Sequence, residues 1–110
     1  MTHADLLNLF VPGLVVDGTN RFAGVKYTTW FESGGNASQR WLQAGGMGGM
    51  SGYFSLEWRI VGDTQCATYP PNTGYGPGEI CFSHYRLPDG SYEGWVGGKL
   101  HLIWRVRAAE

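Results

Sequence analysis

Residues 53–61, YFSLEWRIV, alternate too regularly to form anything but a strand. Phe54, Leu56, Trp58 and Ile60 recur at every second position, with Ser55, Glu57 and Arg59 between them. In a helix these residues would be spread around the axis, whereas in a strand they form one apolar and one polar face. The stretch Met50–Cys66 therefore reads as the central strand. Gly52 opens it, Gly62-Asp63 closes it, and a cysteine follows at once. Its apolar set makes the better inward face, which leaves Glu57 and Arg59 outside.

The rest of the chain follows the same grammar. Leu14–Val16 forms a short strand ended by the turn signal Asp17-Gly18. In Phe22–Glu32, Val25, Tyr27, Thr29 and Phe31 share a face, and Ser33-Gly34-Gly35-Asn36 turns the chain into Ala37–Ala44. After the central strand come Thr64–Tyr69, Glu79–Leu87, Ser91–Val96 and Lys99–Val106, separated by Gly- and Pro-rich turns. In the last strand Leu100, Leu102, Trp104 and Val106 point one way and His101 the other. Roughly eight short strands at such spacing specify an all-β antiparallel domain, and consecutive hairpins favour an up-and-down barrel whose closure removes the edges. One helix is expected, over Thr2–Phe10, capped by Thr2 with Asp5 in the capping-box position and stopped by Pro12-Gly13. It is too short to stand alone and must lean on the β core. With 110 residues the chain makes one domain, residues 1–110, with one core that five tryptophans help to fill.

A net charge of −1, with eight dispersed Lys and Arg, lacks the clustered basic face of a nucleic-acid binder. No apolar run approaches the length of a membrane span. The start MTHADLLNLFVPG has no basic n-region or cleavage site, so a cytosolic protein or a mature exported form is expected. The two cysteines, Cys66 and Cys81, are 15 positions apart. A disulfide joining two strands across the loop Tyr69–Gly78 is the leading reading. Two free buried thiols come next, and a metal site last, for want of a C-x-x-C motif or a close histidine. The disulfide reading points to a periplasmic or secreted protein, and free cysteines to a cytoplasmic one.

The order of features resembles small exported bacterial proteins of the DUF995-like type. A leading helix carries Thr2, Ala4 and Leu6, then Leu9. The aromatic strand Tyr27-Thr28-Thr29-Trp30-Phe31-Glu32 ends in Ser33-Gly34. Gly52, Tyr53 and Trp58 follow, then Asp63, Cys66, a loop and Cys81. The resemblance implies a calycin-like barrel, a Cys66–Cys81 disulfide and a periplasmic location. It supplies no catalytic residues, and the chain departs from it in the glycine-methionine loop and in lacking a signal peptide.

Three functions fit such a barrel. The first is a non-enzymatic module in the cell envelope that binds an apolar or amphipathic small ligand, or a protein partner, through Trp30, Trp58, Trp104, Phe54 and Tyr53. The second is an isomerase or cyclase in which Glu57 is the general base and Tyr27 or His101 donates to a developing oxyanion, which requires a polar cavity. The third is a structural module, a homodimer burying Trp41 or Trp95. No G-x-S-x-G, H-E-x-x-H or phosphate-loop motif occurs, and no cofactor is implied. Met47 and Met50 in GGMGGM read as apolar plugs on a loop that could gate a ligand, ahead of soft metal ligands. The second loop, Tyr69–Gly78, presents Tyr69 and Tyr75, which suit protein or carbohydrate recognition and equally simple loop packing.

Overall fold

A computed structural model describes residues 1–43, 51–71 and 77–107. The helix α1 (His3–Leu9) precedes eight strands: β1 (Val15–Asn20), β2 (Val25–Phe31), β3 (Asn36–Gln43), β4 (Ser51–Val61), β5 (Thr64–Tyr69), β6 (Gly78–Arg86), β7 (Tyr92–Val96) and β8 (Lys99–Val106). Each strand pairs antiparallel with the next, and β8 pairs with β1 to close an up-and-down barrel. Each of the eight strands thus pairs with a neighbour on both sides, although β6 meets β7 only from Ser83 onward. The glycine-methionine loop with Met47 and Met50, and Tyr75 of the second loop, lie outside the described residues.

The alternation read from β4 holds. Leu56 is buried, Phe54, Trp58 and Ile60 pack against the core, and Glu57 and Arg59 are exposed. The same parity turns Tyr27, Thr29 and Phe31 of β2 inward, with Leu102 and Trp104 of β8. Helix α1 seals one end. Its capping box is formed as expected, with Thr2 accepting from the Asp5 amide and Asp5 from the Thr2 amide. The helix then delivers Leu6 and Phe10 into the core, where Phe10 meets the rings of Phe31 at 5.3 Å and Trp104 at 5.6 Å. The His3 amide donates to Asp63 Oδ1 at 2.8 Å, which ties the helix to the β4–β5 turn.

Three expectations need correction. Leu100 does not share a face with Leu102, because a β-bulge in β8 pairs Leu102 with Gly94 but Leu100 with the adjacent Trp95. Strand β1 does not end at Asp17-Gly18 but runs on to Asn20. Gly18 is there for space, not for a turn. A Cβ at Gly18 would lie 2.6 Å from Tyr27 Cζ and 2.9 Å from the Ile103 carbonyl oxygen, so the Tyr27 ring occupies the place of the missing side chain. Phe22 does not belong to β2 either. It sits in the β1–β2 turn, which Gly24 completes at φ 71°, and folds outside the barrel to stack on His101 with ring centroids 4.7 Å apart.

Candidate functional site

The interior carries a polar strip among its aromatic residues: Asn20, Thr29, Gln39, Gln65 and His84 are all buried. Trp104 Nε1–H donates to His84 Nδ1 at 3.0 Å. An indole can only donate, so His84 Nδ1 must be unprotonated. The proton then lies on Nε2, which donates to Gln65 Oε1 at 3.1 Å. Burial pushes the His84 pKa down to about 3, with a smaller push from the nearby ammonium group of Met1. The Thr29 hydroxyl donates to Gln39 Oε1 at 3.2 Å. Among the described residues no buried side-chain polar atom lacks a partner. The space left between these groups is about 30 Å³. That volume holds a water or two and falls an order of magnitude short of a small-molecule site of roughly 300 Å³ or more.

The proposed catalytic set does not assemble. Tyr27 faces inward over Gly18. His101 is buried beneath Phe22 and is not among the residues that line the interior space; burial lowers its pKa, and the charge of Lys99 lowers it further. Glu57 is exposed on the outer face of β4. The period of two accounts for Glu57, since Leu56 and Trp58 occupy the inside of β4. His101 lies at a β-bulge, where Gly94 pairs with Leu102 but Trp95 with Leu100, so simple alternation does not place it.

The five aromatic residues expected to bind a ligand divide between the two sides of the wall. Trp58, Trp104 and Phe54 belong to the core. Trp58 Nε1–H is satisfied by the Asn36 carbonyl at 3.0 Å. Trp30 and Tyr53 instead stand on the outer face of β2–β4, and Tyr53 is 67% exposed. Between them on β3 lies Arg40, opposite Thr28 on one side and Tyr53 on the other. Its guanidinium carbon is 5.9 Å from the centre of the Trp30 ring, a cation–π distance. Among the described residues Arg40 has no ion-pair partner. Leu42, two positions along the same face, is also exposed.

Two open grooves border this row, each about 470 Å³. One runs from Pro12–Val15 past Trp30 and Ser38 to Tyr53, with Glu32 and Ser33 on its rim. The other is lined by Lys26, Thr28, Arg40, Trp41 and Leu42. Arg40 and Leu42 were not among the expected site residues. Their signal was present in the sequence, since they alternate with Gln39 and Trp41, but it could not say which face would be the wet one.

On the other side of the barrel, Cys66 and Cys81 form a disulfide between directly opposed residues of β5 and β6. It is consistent with an oxidising, extracytoplasmic location. Arg59 of β4 donates two hydrogen bonds, each 2.7 Å, to Glu79 of β6. Among the described residues the one group of potential metal donors brought together is Cys66, Glu79 and Cys81, and the bridge already engages both sulfurs. No described helix is long and apolar enough to cross a membrane. Set against protein-family models, curated proteins and solved structures, the chain finds no match.

Proposed function

We propose that this barrel is a non-enzymatic binding module that recognises a protein partner on the outer face of β2–β4. The observation that carries the reading is the row Trp30, Arg40 and Tyr53, with exposed Leu42 beside it and a groove at either end. Trp, Tyr and Arg are the side chains that dominate protein interfaces, because each joins a large apolar surface to a directional polar group. Arg40 forms no ion pair among the described residues, although Asp17 of the same groove feels its charge, so the favoured partner segment is amphipathic: an apolar side chain for a groove and an acidic residue for Arg40. A small ligand inside the barrel fits poorly with about 30 Å³ of free space. The outward position of Glu57 speaks against the isomerase or cyclase reading. A periplasmic or secreted location, and kinship with the DUF995-like exported proteins of calycin-like fold, belong to the same proposal, and the disulfide supports the first of them.

Selection of random peptides against the immobilised protein tests this reading. Enriched peptides should pair aromatic or aliphatic residues with Asp or Glu. Their binding should weaken at least tenfold in Tyr53→Ala and Arg40→Ala, while Glu57→Ala binds normally. Failure to enrich any sequence, or enriched peptides that bind all three variants alike, would discard it.

A further inference from the structure

The disulfide has two unlike sulfurs. Cys66 is 0% exposed although it lies on the outer face of β5, whereas Cys81 is exposed. The cause is the Arg59–Glu79 ion pair. Arg59 comes from β4 and Glu79 from β6, so their contact has to arch over β5, and Cys66 is the β5 residue opposite Arg59. Among the described residues Cys81 has no such cover. The β6–β7 ladder starts only at Ser83, so no β7 residue pairs with Cys81 on the side away from Cys66. That open side is the direction from which a nucleophile must approach Cys81 Sγ, in line with the S–S bond.

The surroundings of Cys66 suit a departing thiolate. Arg59 sits opposite it with a permanent positive charge. The Thr64 hydroxyl oxygen is 3.6 Å from Cys66 Sγ. Its proton now goes to the Val61 carbonyl, 2.7 Å away, and can turn to the sulfur once a negative charge forms there. Glu79 opposes this charge, but its carboxylate is held by Arg59, which also keeps it below the usual carboxylate pKa. Opening the bridge requires no unfolding, because β5 and β6 stay paired from Gln65 to Tyr69 without it.

We propose that Cys66–Cys81 is a directional thiol–disulfide exchange site, attacked at Cys81 and releasing Cys66. An external thiolate, such as that of glutathione or a protein dithiol, forms a bond to Cys81 Sγ. The Cys81–Cys66 S–S bond breaks and its electron pair leaves on Cys66 Sγ, which is stabilised by Arg59 and Thr64. When the attacking molecule carries a second thiol, that group as thiolate attacks its own sulfur in the mixed disulfide and releases the Cys81 thiolate. The external dithiol then ends oxidised to a disulfide and the barrel ends with two thiols. Exposure is what makes a disulfide open to such exchange, and a low pKa in the leaving thiol speeds it.

The test uses the oxidised protein in native buffer with a large excess of reduced glutathione. The reaction is stopped by acid, free thiols are alkylated and the peptides are mapped. Glutathione should be found on Cys81 and the alkyl label on Cys66, at a rate unchanged by urea below the unfolding transition. Arg59→Gln, checked for native circular dichroism, should slow the reaction by about threefold, the effect of raising the leaving thiol by roughly one pKa unit. Glutathione mainly on Cys66, or exchange only as fast as global unfolding, would overturn the proposal.

Discussion

Single side chains in this barrel act mainly through what they exclude. His84 is held neutral by the indole N–H of Trp104, and protonating it would set two donors against each other. In the folded chain it takes a proton only near pH 3, against 6.5 for an ordinary histidine. Between those values the unfolded chain binds more protons, so acid favours unfolding. Stability should be fully present above pH 6.5 and fall by up to about 1.4 kcal/mol per pH unit as the pH drops toward 3. Urea titrations at a series of pH values measure that slope, and His84→Gln should flatten it. Gly18 works by its missing side chain. A Cβ there meets both the Tyr27 ring and the Ile103 backbone, whereas at Gly52 its three nearest atoms all belong to the Trp41 ring, the first at 2.5 Å. Gly18→Ala should therefore destabilise by about 1–3 kcal/mol, and more than Gly52→Ala, because a backbone oxygen cannot rotate away. Thermal melts of the two variants decide it. Neither role was legible in the sequence, where Asp17-Gly18 has the look of a turn and His84 that of a polar strand residue. Both depend on strands that are distant in the chain.

At the scale of the element, α1 matters as a plug, not as a helix. Seven residues are too few to persist alone, so the helix exists by virtue of Leu6 and Phe10 entering the barrel mouth. Leu6→Ala should cost about 2–5 kcal/mol, a core-sized loss from a helix of two turns. Thr2→Ala, which removes the cap alone, should cost about 1 kcal/mol. Chemical denaturation compares the two, and an equal effect would mean that the cap carries the helix and the plug does not. The helix and its cap were readable because capping is local: Thr2 and Asp5 are three residues apart. Its seat against Phe31, Trp58 and Trp104 was not, since those rings come from β2, β4 and β8.

For the whole molecule, closure leaves about 30 Å³ of free space in the interior. The disulfide joins strands already paired, so its reduction should lower stability by about 3 kcal/mol through the freed unfolded chain, while the native circular dichroism spectrum persists. Loss of the spectrum on reduction alone would contradict this. What the sequence by itself determined was the set of faces. Alternation is a property of neighbours, and it separated Phe54, Leu56, Trp58 and Ile60 from Glu57 and Arg59 before any contact was known. With the turn signals, it also implied an eight-stranded meander and its closure. Only the tertiary structure decided how much space the inward faces leave and which outer faces remain bare. Ring sizes, strand-to-strand register and the arch of Arg59 to Glu79 all arise between residues far apart in the chain. That is why Trp30 and Trp58, both on aromatic strands, end on opposite sides of the wall, and why Cys66 is shielded while Cys81 is open.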